Sequence, residues 1–370
     1  MGKERFKAQG GGTFWGDFVY DRVVGPDHFL RKLKENIPWQ RFTYKLVKWY
    51  RGGAKEGRSP YDPGLLLRML LVSYLYNLSE RQTEEAVNDN LPIKYFVGLA
   101  VDERAPDHST LTAFKRRLTE NRRGEAFEEM LAEVVRIAQE SGVEFGRIQV
   151  IDSTHSIADV NRWKEGKRKR EGKALRDPDA RWGVKGTKQE QDEKGKVVKV
   201  RKTFLGFKAH YSMDSESGMI TSMVPTGGNA HDGKQLPKLL EKDEGLGLEI
   251  KIVSADRGYD DSDNHVLLWS KEIHSAIHLN DYRTQKKDGN KGIWIAMRES
   301  EEYQRGLRER YTIERKFGEG KKWHGLGRCR YVGLVRYAIQ GYMTAIALNL
   351  KRLVMLLTGV PFRGRAKALV

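Results

Sequence analysis

The chain has 370 residues, 39% of them hydrophobic, with 15 Tyr, 13 Phe and 8 Trp, which is enough to bury a core in two or three domains. Lys and Arg outnumber Asp and Glu by 67 to 50, a formal net charge of +17, so the summed field attracts polyanions and nucleic acid is the first partner to consider. The one cysteine, Cys329, excludes an internal disulfide framework and a Cys-based zinc finger and suits a reducing cytoplasm.

Residues 1–25 lack a clear period and are expected to form a flexible arm; MGKERFK has no apolar run of the kind a signal peptide needs. Apolar positions from Pro26 to Tyr50 recur at helical spacing, broken at Pro38. Pro60 to Asn77 reads as a buried helix, with Asp62 as its N-cap and Pro63 at its first position. Ser79 and Gln82 form a capping box for the next helix, and short helices follow near Ile93–Val97 and Leu111–Leu118. The last of these carries Lys115, Arg116 and Arg117, and the series resembles a DNA-binding helix-turn-helix. Glu125 to Gln139 is amphipathic and closes this helical domain, 26–142. The apolar stretches 65–78 and 345–360 are interrupted by Arg68 and by Lys351 and Arg352, short of the ~18–20 apolar residues of a membrane span, so no membrane partner is expected.

At Arg147 the pattern changes. RIQVID suits a buried strand that ends in an acid, Asp152. Residues 156–201 read as a long basic loop: from Arg162 to Lys202 there are 16 Lys and Arg against 7 Asp and Glu, with Lys167, Arg168, Lys169 and Arg170 in one run. Such a stretch is expected to order on an anionic partner, here DNA. Two strands, 203–213 and 219–226, form a hairpin through Asp214–Gly218. A loop containing Gly228, His231, Asp232, Gly233 and Lys234 then leads into a helix; it falls short of a P-loop because Gln235 stands where Ser or Thr must be. EIKIVSAD is a second buried strand ending in an acid, Asp256; a helix, a strand at 273–279 and a charged loop follow. Asp260 reads as a helix cap.

The segment Arg310–Arg330 opens as a helix in which Glu314 is surrounded by Arg310, Arg315, Lys316, Lys321 and Lys322. A long apolar helix, 338–357, ends the domain 143–358, and 359–370 is a basic tail. This element order is that of an α/β ribonuclease-H-like catalytic domain, a mixed five-stranded sheet flanked by helices, preceded by an all-α N-terminal domain. The order converges Asp152, Asp256 and Glu314, and three carboxylates so placed stay ionised only with cations present, two Mg2+ or Mn2+ ions being the natural occupants. Such a pair activates water or a 3′ hydroxyl on one side of a phosphodiester and stabilises the leaving oxygen on the other.

Asp152 in VIDST, Asp256 in SADRGYD and Glu314 in RYTIERKFGEGKKWHGLGRCRYVGL resemble the DDE triad of insertion-sequence transposases. YDPGLLLRMLL, LSERQTEEAV and PDHSTLTAFKRRL resemble the N-terminal domain of the insertion-sequence-five type group, so the likeness covers about residues 40–350. It implies a transposase that binds the terminal inverted repeats of its element, cleaves the ends and joins the 3′ ends to target DNA, acting as at least a dimer. It also implies that Arg310 and Lys321 grip the DNA beside the metals. Arg310-x3-Glu314-x6-Lys321 matches most of a Tyr-x2-Arg-x3-Glu-x6-Lys signature; Leu307 stands at the Tyr position, with Tyr303 and Tyr311 as replacements. Arg315, Lys322 and the basic runs are further DNA contacts by their charge. The other readings are a transposase-derived DNA-binding regulator without catalysis and a general ribonuclease-H-like nuclease.

Overall fold

The computed structural model describes residues 6–7, 10, 14–50, 59–120, 124–191, 197–285 and 290–362, the side chains of 187, 188, 190 and 198 excepted. Most of the glycine-rich arm and the tail beyond Phe362 lie outside the described residues. The chain divides into two compact units, Met1–Val143 with Met343–Val370, and Glu144–Tyr342.

The first unit is helical: α1 (Phe14–Val23), α2 (Phe29–Asn36), α3 (Trp39–Val47), α4 (Pro63–Leu75), α5 (Glu80–Asp89), α6 (Leu91–Val97), α7 (His108–Thr119) and α8 (Glu125–Glu140). Pro38 separates α2 from α3, and Asp62 Oδ1 caps α4 by accepting from Gly64 N at 2.7 Å and Leu65 N at 3.1 Å. The capping box of α5 is complete, Ser79 Oγ accepting from Gln82 N and Gln82 Oε1 from Ser79 N. Every residue of α4 except Arg68 is buried, which makes it the axis of this unit. Helix α1 occupies a stretch expected to be part of the arm. Its period is masked because Phe14, Trp15 and Phe18 are exposed while Tyr20 is buried and donates to Leu99 O at 2.8 Å.

The second unit holds a mixed sheet of six strands: β1 (Ile148–Ile157), β2 (Arg181–Gln191), β3 (Val197–Asp214), β4 (Ile220–Gly227), β5 (Ile252–Ala255) and β6 (His274–Ile277). The order is β2-β3-β1-β5-β6, with β4 also on β3; β1, β5 and β6 run parallel to one another, and β3 is antiparallel to β1, β2 and β4. Helix α9 (Arg162–Arg170) follows β1, α10 (Leu236–Glu244) follows β4 and α11 (Ser262–Ser270) follows β5; then come α12 (Asp281–Thr284), α13 (Lys291–Glu299), α14 (Glu301–Glu309), α15 (Tyr311–Trp323) and α16 (Leu334–Thr358). One face of the sheet buries Ile151, Val253, Leu236, Leu239, Tyr259 and Leu268, and Ile148, Ile252, Ala276, Trp294 and Tyr303 form a second cluster. Each such aliphatic side chain contributes about 1.5–3 kcal/mol when fully buried. Helix α14 lies close on β5 and β6 because Gly306 has no Cβ; one built there would stand 2.4 Å from Ala276 Cβ.

Three expectations change. The sheet has six strands, not five, and the sixth comes from the expected basic loop 156–201, which holds α9, β2 and the start of β3. Two of its acids are buried as backbone acceptors and help it to fold: Glu165 accepts from Arg176 N at 2.9 Å and Asp177 from Ala180 N at 3.2 Å. Counting charges treats those carboxylates as solvated and misses this. Lastly, α16 passes from one unit to the other at Met343, so the sheet unit ends before the expected 358; an unbroken apolar helix carries no boundary signal. Among the described residues no helix is long and apolar enough to cross a membrane.

Candidate active site

Parallel pairing of β1 with β5 runs from Ile148 opposite Ile252 to Ile151 opposite Ala255, which places Asp152 and Asp256 side by side one step beyond the last pair. Asp152 Oδ1 accepts from Ser153 N at 2.7 Å, and Asp256 Oδ1 caps the following 3-10 turn, Arg257–Tyr259, by accepting from Gly258 N at 2.8 Å. Burial, reinforced by the charge of Asp256, pushes the Asp152 carboxyl up to about 7, and burial also raises Asp256. These two groups are held in desolvated, mutually repelling positions.

Cations ring the pair. Arg310 pulls both carboxyls back down, and Lys321 stands near enough to Asp152 to feel its charge. Lys321, Lys185 of β2 and Lys208 of β3 surround His155, which burial and these lysines lower to about 4, so its ring is neutral at physiological pH. His210, fully buried opposite Ser153, is likewise lowered to about 4, chiefly by burial; its Nδ1 lies 3.3 Å from Tyr259 Oη and its Nε2 2.9 Å from Thr226 Oγ1.

Glu314 stands differently. It is on α15, whose buried side is formed by Ile313, Phe317 and Gly320, and its side chain is 55% exposed and bound to Arg310 Nη2 at 2.9 Å. The charges acting on Asp152 and Asp256 include that of Asp232, from the loop after β4. Strand register thus sets two of the three expected acids side by side, Glu314 is held in an ion pair on α15, and Asp232 is a carboxylate not singled out from the sequence. A signal for this wall was present in β3: apolar Phe207, Ala209, Tyr211 and Met213 alternate with Lys208, His210 and Ser212, as on a buried strand with one polar face.

A divalent cation with hard oxygen ligands fits the strand-borne acids. Burial raises both carboxyls, and Gly258 leaves a gap beside Asp256: a Cβ there would lie 3.0 Å from Asp256 Oδ1 and 3.3 Å from Asp232 Oδ2.

The remaining basic residues sort into two kinds. Lys167, Arg168, Lys169 and Arg170 are all exposed on α9, beside an 88% exposed Trp163. On α7, Lys115 is buried in an ion pair with Glu80, Arg116 pairs with Glu120 at 3.2 Å and Arg117 lies over the Tyr50 ring at 4.3 Å. Lys115 thus serves the helical packing and is not open to a partner, whereas Arg116 and Arg117 remain exposed. Arg315 stacks on Tyr311 at 4.6 Å, and Lys322 on Trp323 at 4.8 Å. Trp323 is 43% exposed, so it is not a core residue. Of the two tyrosines near Leu307, Tyr303 is buried and accepts from Leu279 N at 3.2 Å, whereas Tyr311 is half exposed. Asp260 is no cap: it is buried against Arg283 at 2.6 Å and His265 at 2.9 Å, and Asp261 caps α11 instead.

Residues 145–350 match the family model described as "Transposase DDE domain", and residues 18–117 match "Transposase domain (DUF772)". The chain belongs to the DDE transposases of insertion-sequence type, proteins of transposition and DNA recombination. A solved structure, the cryo-EM structure of a piggyBac transposase synaptic complex with hairpin DNA, aligns over 91% of this chain and 81% of that one at 10% identity and a TM-score of 0.35, too low to carry an argument.

Proposed function

We propose that this protein binds the terminal inverted repeats of its own mobile element, cuts the DNA at the ends and transfers the 3′ ends to target DNA, with Asp152, Asp256 and Glu314 as the catalytic carboxylates on a ribonuclease-H-like sheet. The observation that carries the reading is the register of β1 on β5, which sets two half-buried acids side by side within reach of the charges of Arg310, Lys321 and Lys208. The sheet order β4-β3-β1-β5-β6, with β2 as an added edge, supports the fold assignment.

Two Mg2+ or Mn2+ ions, when bound, would supply Lewis-acid activation of water or a 3′ hydroxyl and stabilise the leaving oxygen. The chain's own groups do the rest. Asp152 and Asp256 hold negative charge where burial opposes it, and so recruit cations to one place. Arg310 and Lys321 clamp the scissile phosphate; when phosphate takes the Arg310 guanidinium, Glu314 is released from its 2.9 Å ion pair to join the other two acids. Arg315, Lys322 and the α9 run Lys167–Arg170 hold flanking DNA through its backbone. Pairing of two element ends calls for at least a dimer on DNA.

The test is divalent-dependent cleavage of DNA carrying the element's end, by wild type and by Asp152→Asn. Equal activity in the variant refutes the reading, and cleavage indifferent to end sequence makes the protein a general nuclease.

A further inference from the structure

Asp232 has no part in the triad, yet it is built into the wall of the same centre. It lies in the turn after β4, where Lys208 Nζ donates to Asp232 Oδ1 at 2.7 Å and to Ala230 O at 3.0 Å. Lys208 comes from the middle of β3, opposite His155 of β1 and Thr226 of β4, so its position is fixed by two ladders. Neither side chain is a surface group: Lys208 is 15% exposed and Asp232 20%. The tether therefore draws a loop carboxylate inwards to the strands that bear the catalytic acids.

The tether occupies Oδ1, and the other oxygen, Oδ2, borders the gap above Gly258. A Cβ at that glycine would stand 3.3 Å from Asp232 Oδ2 and 3.0 Å from Asp256 Oδ1, so the two oxygens face one small space that any other residue would fill. Gly258 does not have the positive φ that would itself demand glycine. The missing side chain is explained by the space. An ion pair alone does not account for the arrangement, because Lys208 meets only one edge of the carboxylate.

We propose that Asp232, tethered by Lys208, is a further carboxylate of the reaction centre and ligates, with Asp256 across the gap left by Gly258, a divalent cation of the oxygen-loving class. This rests on the reading of Asp152 and Asp256 as metal-binding acids. It assigns to the loop after β4 the ligand that Glu314 does not supply while it is paired with Arg310. Asp232 then fixes one ion before DNA arrives, and Glu314 completes the set afterwards.

The experiment is calorimetric titration of the full chain with Mn2+ alone, without DNA, for wild type, Asp232→Asn, Gly258→Ala and Asp152→Asn, with thermal melting in chelator to check folding. Asp232→Asn is expected to weaken Mn2+ binding tenfold or more. Gly258→Ala keeps every carboxylate in the chain but sets a Cβ 3.0 Å from Asp256 Oδ1 and 3.3 Å from Asp232 Oδ2, and is expected to do the same; Asp232→Ser is read in place of Asp232→Asn if that variant does not fold. If both bind Mn2+ within twofold of wild type while Asp152→Asn loses it, the metal-binding reading stands and Asp232 is merely the partner of Lys208. If Asp152→Asn also binds as wild type does, or wild type takes up no Mn2+, the reading of the acid pair fails and this proposal with it.

Discussion

In the helical unit, Glu84, Asp107 and His108 bring their ligand atoms within 4.8 Å of one another, and on distance they make a plausible cation site. In the sheet unit, Asp152 and Asp256 are neighbours by strand register. The difference lies in burial. Glu84 Oε2 accepts from His108 N at 2.9 Å and meets His108 Nδ1 at 2.8 Å, while Asp107 Oδ1 caps α7 by accepting from Ser109 N at 2.7 Å. The bonds from Ser109 hold the exposed Asp107 below the usual carboxylate range, the mark of a satisfied anion. Asp152 is pushed the other way, to about 7, by burial and a second acid. Both sets of acids accept backbone bonds; what distinguishes the strand-borne pair from the helix cap is burial that those bonds do not offset.

The sharpest test of that contrast is catalytic. Asp152→Asn and Asp256→Asn are each expected to lower end cleavage at least a thousandfold, about 4 kcal/mol of transition-state stabilisation, whereas Glu84→Gln stays within a few-fold of wild type. Gel assays of strand cleavage read both.

The same contrast predicts a pH effect. Because folding raises the Asp152 carboxyl from its ordinary 3.8 to about 7, the folded state holds more protons than the unfolded state between those values. Stability without divalent ions is therefore greatest below about pH 4 as far as this group is concerned, and falls as pH rises towards 7, by up to ~4 kcal/mol. Urea unfolding in chelator at stepped pH should show that loss, Asp152→Asn should lack it, and added Mn2+ should restore stability at the alkaline end.

Basic helices extend the comparison from anions to cations. Exposed Lys167, Arg168, Lys169 and Arg170 on α9 have charge to give to phosphates, whereas Lys115 on α7 is engaged with Glu80. Replacing the four α9 residues with Gln should reduce the slope of log affinity against log salt by about 0.9 for each phosphate that is no longer neutralised. An unchanged slope in filter-binding titrations would remove α9 from the DNA interface. The smallest effect belongs to His108→Ala, expected to cost about 1 kcal/mol of stability by removing the imidazole that meets Glu84 and to leave Mn2+ binding untouched.

Local rules in the sequence carried far. Asp62, Ser79 and Gln82 announced their helices, and the acids closing VID and SAD stand, as expected, at the ends of two neighbouring parallel strands. What was not legible depended on partners distant in the chain. Whether Lys115 was open to DNA depended on Glu80 in another helix, and 156–201 is helped to fold by Glu165 and Asp177 being buried against backbone N–H groups. Asp232 was hidden for a similar reason: its place is set by Lys208, 24 residues earlier, on a strand whose neighbours are known only once the sheet is assembled.

Strand β3 is 18 residues long, roughly 60 Å of continuous backbone. Its first half, Val197–Gly206, pairs with β2 in a basic ribbon, and its second half lies between β1 and β4 and carries Lys208 and His210. The two halves meet at Gly206, where a Cβ would come 2.0 Å from Ser156 O, so the strand lies tight against β1 there. Mechanically it is a beam clamped at one end and free at the other. One continuous strand thus joins the basic ribbon to Lys208 and His210, beside Asp232.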